Sequence, residues 1–111
     1  VPNTEGGWLA ALTLLVKKPN LDAIFAFNDL MAVGAMQAFQ DVGKQIPEDI
    51  AIIGVDDIPL ATMVRPQLST LHVDLQNLGQ MAMRSLLDLI TGSKESIVIN
   101  LDLELLLRDS T

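Results

Sequence analysis

AIFAFNDLMAVGA, residues 23–35, is the stretch of the sequence that decides the fold. Its first five residues form an unbroken apolar run, which is typical of a strand buried on both faces of a parallel sheet. Asn28 and Asp29 follow this run and are suited to cap a helix. The helix predicted over residues 30–42 has so few polar residues that it must be covered on more than one side. A buried strand that leads directly into a helix indicates an α/β unit.

The flanking sequence continues this alternation of strands and helices. Before the stretch, apolar residues recur at helical spacing from Trp8 to Val16, and Pro19 ends that helix. After the stretch, we predict strands at residues 50–55, 70–73 and 97–107 and a long helix at residues 75–91. The fold class predicted is therefore α/β, a parallel sheet with helices on both faces.

Composition excludes several classes of protein. The 111 residues suffice for one domain, and no apolar run approaches the roughly 20 residues that span a bilayer. The absence of Cys removes disulfides and thiolate metal sites and fits a reducing cytoplasm. A net charge of −7 opposes contact with a phosphate backbone, so any contact with DNA must lie outside this chain. Because no leader sequence precedes Val1, we interpret the chain as an internal fragment.

Polar residues follow two of the predicted strands at the point where each strand ends. Asn28 and Asp29 follow the first, and Asp56 and Asp57 follow the second. In open parallel sheets ligands bind beyond the carboxyl ends of the strands. A carboxylate and an amide placed there can accept from and donate to the hydroxyl groups of a sugar. The alternative is structural, because the same residues are ordinary helix caps and turn openers.

Two further side chains, Trp8 and His72, each allow a functional and a structural interpretation. Trp8, the single Trp, is either an apolar surface on which a sugar ring stacks or a packing residue of its helix. His72, the single His, favours a surface or hydrogen-bonded role over catalysis or metal binding. The sequence contains no Gly-rich phosphate loop, nucleophile elbow or His pair at metal-ligand spacing, so we predict no enzyme, no metal and no cofactor.

Six short motifs give a more specific indication than periodicity does. They are residues 23–35 (AIFAFNDLMAVGA), 46–50 (IPEDI), 54–58 (GVDDI), 66–70 (PQLST), 78–79 (LG) and 107–111 (LRDST). Together they resemble, in order and spacing, the C-terminal half of the lactose/galactose-repressor family of transcriptional regulators.

This resemblance implies a fold and a set of ligand-binding residues. The fold is a periplasmic-binding-protein-like domain of two lobes that close on an effector, and residues 1–111 would be part of its C-terminal lobe. In that family pattern Trp8 stacks on a sugar, and Asn28 and Asp56 bind its hydroxyls. We expect Asp57 to be mainly structural or to support the residues that contact the ligand. The residue at Val73 is often Gln and also contacts the ligand. Val73 departs from the pattern because valine has no polar side-chain atom.

The resemblance also implies partners. The effector would be a sugar, and a homodimer would cover apolar residues among Val33, Met36, Phe39, Met63 and Val64, although neighbouring helices of the same chain are the alternative cover. Residues 75–96 would pack on an N-terminal lobe. Operator DNA would be bound only by a helix-turn-helix domain that this chain does not contain. The function expected is that of a cytoplasmic effector-sensing module of a repressor, and a periplasmic sugar-binding protein of a transport system is the alternative.

Overall fold

The computed structural model describes residues 1–93 and 96–111. Helices alternate with strands along the chain, as the sequence predicts. Their order is α1 (Thr4–Lys17), β1 (Ala23–Phe25), α2 (Asp29–Asp41), β2 (Ala51–Asp56), α3 (Leu60–Met63), β3 (Ser69–His72), α4 (Leu75–Ile90) and β4 (Glu104–Leu106).

Side-chain caps set where the three long helices begin. Asn3, Asn28 and Asp74 each accept a hydrogen bond from the backbone N–H three residues later, at 2.8 to 2.9 Å. Such a bond satisfies one of the donors that the first helical turn leaves unpaired. The capping role predicted for Asn28 is confirmed. After α2 the backbone turns at Gly43, whose φ of +79° is readily adopted only by glycine.

The sheet has the order β1-β2-β3-β4, and its first three strands are parallel. The predicted parallel sheet is therefore correct for these strands, whereas β4 is antiparallel to β3. The reason lies in the path of the chain. α4 begins just beyond the carboxyl end of β3, and the returning chain enters the sheet at that same end, where Glu104 pairs with His72. The prediction of a strand over residues 97–107 was too long, since only 104–106 pair.

The core lies between the sheet and the layer formed by α1 and α2. Met36 and Phe39 of α2 are buried in it with Ile52 of β2 and Leu68. The expectation that Met36 and Phe39 face a second subunit is therefore wrong, because this chain covers them itself. β1 also differs from its prediction. It is an edge strand of the described sheet, and Phe25 is 66% exposed, so it is not buried on both faces.

α4 contributes no buried residue to this core. Several of its apolar side chains, including Met83, Leu86 and Ile90, are more than half exposed. The segment at Ile97 and Ile99 runs beside α4 and forms a shallow apolar groove with it. Among residues 1–93 and 96–111, no helix has both the length and the apolar character needed to cross a membrane.

Candidate functional site

The carboxyl edge of the parallel strands brings together three of the four predicted site residues. β1 ends at Phe25, which pairs with Ile53 of β2, and Asn28 lies just beyond this end of β1, where it caps α2. Asp56 pairs with His72, the residue that directly precedes Val73. Asn28, Asp56 and Val73 thus lie at the ends of neighbouring strands. This is the position at which open parallel sheets bind ligands.

Asn28 and Asp56 both keep polar atoms free for a ligand at this edge. The side-chain oxygen of Asn28 accepts from the Met31 N–H, which leaves its amide nitrogen as a donor. The carboxylate of Asp56 is half-buried and makes no hydrogen bond to another residue in the described part of the chain. The pair therefore offers one donor group and one acceptor group to a small polar ligand.

Asp57, in contrast, is fully engaged within the protein. Its Oδ1 accepts from the Arg108 guanidinium at 2.6 Å, and its Oδ2 lies 3.0 Å from His72 Nδ1. Burial raises the pKa of Asp57, but the hydrogen bonds and positive charge supplied by Arg108 and His72 outweigh this effect and lower the pKa below its ordinary value. Arg108 also donates to the Leu68 carbonyl at 2.9 Å. Asp57 therefore joins the end of β2 to β3 and to the C-terminal segment.

Asp29, which the sequence suggested as a polar residue at a strand end or as a helix cap, is a fully buried carboxylate under this edge. It accepts from the Thr70 hydroxyl at 2.6 Å and from the Ile58 N–H at 2.9 Å. Burial raises the pKa of Asp29 above its ordinary value, the two hydrogen bonds lower it in part, and the carboxylates of Asp56 and Asp57 raise it further. Three carboxylates thus lie close together, each in a different environment.

The structure does not bring Trp8 to this edge. Its indole packs against the core between α1 and α2, and its Nε1 donates to Asp41 at 3.0 Å. Asp41 is the last residue of α2, whereas Asn28 caps the first turn, so about 18 Å of helix separates the two ends. These contacts correspond to the packing interpretation of Trp8 and not to a surface for a ligand at the strand ends.

Phe27 is the aromatic residue that the sequence interpretation missed. It directly precedes Asn28 and is 75% exposed, although the apolar run predicted it to be buried. Val73, the fourth predicted residue, is half-buried and offers only apolar surface. Within residues 1–93 and 96–111 no group of three His, Asp or Glu side chains is arranged to hold a metal.

The sequence gives only weak indications of the contacts that His72 and Arg108 make with Asp57. His72 is confirmed as a hydrogen-bonded residue, as its strand position indicated. Arg108 lies 51 residues from Asp57 in the chain, and no local pattern joins the two. Its only signal is its place in the motif LRDST, residues 107–111, which pairs with β2 and β3 through Ser110.

Comparisons with known proteins match this architecture. A family model described as a periplasmic binding protein-like domain matches residues 2–111. The chain is 37% identical over 106 residues to a lactose operon repressor of Rhizobium radiobacter, covering 96% of this chain and 94% of that protein. It is 41% identical over 92 residues to a ribose operon repressor of Haemophilus influenzae, covering 83% of this chain but only 28% of that repressor.

Two solved structures extend the comparison. A LacI family regulator from Arthrobacter, solved in complex with lactose, superposes with a TM-score of 0.84 at 41% identity, covering 98% of this chain and 41% of that one. The regulator CelR in complex with cellobiose superposes with a TM-score of 0.91 at 32% identity, covering 98% of this chain and 34% of CelR. The chain therefore belongs to the periplasmic-binding-protein-like domain family and, within it, to the effector-binding domains of lactose/galactose-repressor regulators.

Proposed function

We propose that this chain forms one wall of the sugar-binding cleft of a transcriptional repressor, with Asn28 and Asp56 as the residues that bind the sugar. The observation that carries the proposal is the position of Asn28 and Asp56 at the carboxyl ends of neighbouring strands, each with polar atoms that no other residue in the described part of the chain uses. A sugar hydroxyl can donate to the carboxylate and accept from the amide.

The surroundings of this pair also suit a sugar. Phe27 presents an exposed aromatic side chain beside Asn28, and aromatic rings pack well against the apolar face of a sugar ring. Val73 supplies no polar contact, so the part of the effector nearest to it lacks a hydroxyl that needs a partner. The two solved relatives contain lactose and cellobiose, and another relative is named a ribose operon repressor, which supports a mono- or disaccharide as the effector.

The relatives favour a regulator over the alternative of a transport receptor. Those compared above are repressors and regulators of transcription, and none is named as an enzyme. The net charge of −7 disfavours direct contact of this chain with DNA, so operator binding belongs to a helix-turn-helix domain elsewhere in the protein. Such a regulator acts in the cytoplasm, where the DNA is.

In the complete regulator, residues 75–96 pack on an N-terminal lobe, although residues 94 and 95 lie outside the described part. The exposed apolar residues of α4 support this placement. A homodimer contact at α3 is supported by Met63, which is 71% exposed, whereas Val33 and Val64 pack partly against the core of their own chain. Effector and operator then favour different degrees of lobe closure, and each changes the affinity for the other.

The proposal is tested by calorimetry on the full-length protein with a panel of mono- and disaccharides. The key variant is Asp56→Asn, because asparagine keeps the shape of the side chain and tolerates the positive φ of +110° at this position better than alanine does. Loss of the charge on one hydrogen-bond acceptor is expected to weaken sugar binding roughly 10-fold or more, equivalent to about 1.5 kcal/mol or above.

Trp8→Phe provides a matched control at the far end of α2. It removes the hydrogen bond to Asp41 and is expected to lower stability slightly while leaving sugar affinity unchanged. Unchanged affinity in the folded Asp56→Asn protein would reject Asp56 as a binding residue. Loss of affinity in Trp8→Phe, with normal stability, would instead return Trp8 to the binding site.

A further inference from the structure

The turn that carries Asp56 has an unusual backbone. Asp56 and Asp57 are consecutive and both have positive φ, at +110° and +55°. L-residues rarely adopt this region, and they remain there only where the surrounding structure holds them. The direction of the Asp56 carboxylate therefore depends on groups that hold the turn from outside.

The buried pair of Asp29 and Thr70 is placed to hold this turn. The Asp29 carboxylate accepts from the N–H of Ile58, the residue directly after the two positive-φ positions. The Thr70 hydroxyl donates to Asp29 and is itself 3.4 Å from the Asp57 N–H, so two successive peptide N–H groups after Asp56 are fixed by one buried unit. Both side chains are fully buried, which excludes direct contact with a ligand in the cleft.

The Asp29 carboxylate is packed closely against the backbone of β2 at Gly54. A Cβ atom at Gly54 would lie 2.1 Å from Asp29 Oδ1, so the carboxylate occupies the volume that any larger residue on β2 would need. On the other side of the turn Arg108 and His72 fix the Asp57 carboxylate. The groups on both sides of Asp56 are thus fixed, whereas its own carboxylate makes no hydrogen bond to any described residue and is available to a ligand in the cleft.

We propose that Asp29 and Thr70 are positioning residues that set effector affinity by holding the backbone of the turn at Asp56, without touching the effector. This inference rests on the function proposed above, in which Asp56 binds the sugar. It assigns to the buried unit a role that goes beyond stability. Loosening the unit should lower affinity in molecules that remain fully folded, because the Asp56 carboxylate would no longer be held in one direction.

The test compares Thr70→Val with Thr70→Ser in the full-length protein. Valine keeps the volume of the side chain but removes the hydroxyl, whereas serine keeps the hydroxyl. We expect Thr70→Val to weaken sugar binding about 10-fold. The affinity of Thr70→Ser should stay within about threefold of that of the wild type. Ile52→Val, a change to a fully buried residue of β2, is the control for stability and should lower the melting temperature without changing affinity.

Hydrogen exchange gives a second measurement that needs no ligand. The amides of Asp57 and Ile58 should exchange faster in Thr70→Val than in Thr70→Ser or Ile52→Val. The substitution removes the hydroxyl that accepts from the Asp57 N–H and loosens the Asp29 carboxylate that accepts from the Ile58 N–H. If Thr70→Val does not fold, Asp29→Asn replaces it, since the amide can accept only through one of its two side-chain heavy atoms.

The outcomes separate this inference from the function on which it rests. A wild-type protein that binds no sugar of the panel overturns the proposed function, and the inference with it. A wild type that binds and loses affinity in Asp56→Asn, but keeps it in Thr70→Val, overturns only the inference. An equal loss in Thr70→Val and Ile52→Val, or no recovery in Thr70→Ser, also overturns it, because affinity would then follow stability alone.

Discussion

At the scale of single residues, the carboxyl edge of the sheet places three carboxylates in environments that separate their roles. Asp57 is tied to Arg108 and His72, and its pKa is lowered. Asp29 is buried, no cation among the described residues contacts it, and its pKa is raised chiefly by that burial. Asp56 has neither kind of partner in the described part of the chain. Asp29 and Asp57 thus have structural roles, and Asp56 is available to bind the ligand.

These opposite pKa shifts predict how stability depends on pH. The lowered pKa of Asp57 means that its contribution to stability is complete above the unfolded pKa of about 3.9 and is lost as pH falls through the folded pKa. Asp57→Asn should therefore lower stability at pH 7 and remove part of the acid sensitivity. Urea unfolding of the 111-residue chain followed by circular dichroism from pH 7 down to pH 3 measures both effects.

Asp29→Asn provides the comparison, because the pKa shift of Asp29 is opposite in sign to that of Asp57. A raised folded pKa gives a contribution that is present below the unfolded pKa and lost as pH rises through the folded pKa. In Asp29→Asn, the free energy of unfolding should therefore no longer show this decrease as pH rises through the folded pKa of Asp29. Identical pH dependence in wild type, Asp57→Asn and Asp29→Asn would contradict the roles assigned to both carboxylates.

The sequence predicted Asn28 and Asp56 as neighbours because both follow apolar strands, and parallel strands end at one edge. It could not place Trp8, since helical spacing shows that a face is apolar but not which element covers it. The contacts of Asp57 were equally hidden. Arg108 reaches it only after β4 has returned along β3, and a chain separation of 51 residues leaves no periodic signal.

At the scale of elements, α1 and α2 form the most extensive contact among the described helices, and that contact depends on small residues. A Cβ atom at Gly34 would lie 1.9 Å from the Thr4 carbonyl oxygen and 2.9 Å from the Trp8 nitrogen. The sequence predicted both helices because their apolar spacing is local. It predicted β1 as fully buried because an apolar run does not reveal whether a neighbouring strand is present.

Substitution of Gly34 by alanine should therefore force the two helices apart. We expect Gly34→Ala to lower the free energy of unfolding by about 1–3 kcal/mol or more, the usual range for overpacking. Gly79→Ala is the matched control, because Gly79 lies within α4 and a Cβ atom there meets nothing within 4 Å. That variant should gain about 0.5–1 kcal/mol of helix stability. Denaturant unfolding and helix content by circular dichroism measure both, and a neutral Gly34→Ala would contradict the described helix contact.

At the scale of the whole molecule, the described chain is more elongated than a compact domain of its length. Its radius of gyration is 17.5 Å, and its extents are 57 × 25 × 20 Å. A compact domain of this size has a radius of gyration of about 13 Å. The difference comes from α4 and the segment beside it, which extend from the sheet with their apolar side chains exposed. Soluble monomers rarely leave a contiguous apolar surface of this kind uncovered.

The 111-residue chain on its own should therefore self-associate through this extension. At micromolar concentration, light scattering is expected to give a dimer or a larger species in place of the 12.0 kDa monomer. Leu86→Glu combined with Leu89→Glu should shift the chain toward the monomer, since charges on the exposed face of α4 oppose its burial. Val16→Glu, a change at an 84% exposed position on α1, is the control and should leave the association state unchanged. A wild-type chain that stays monomeric, or an association that responds to Val16→Glu and not to the α4 substitutions, would show that α4 is not the associating surface.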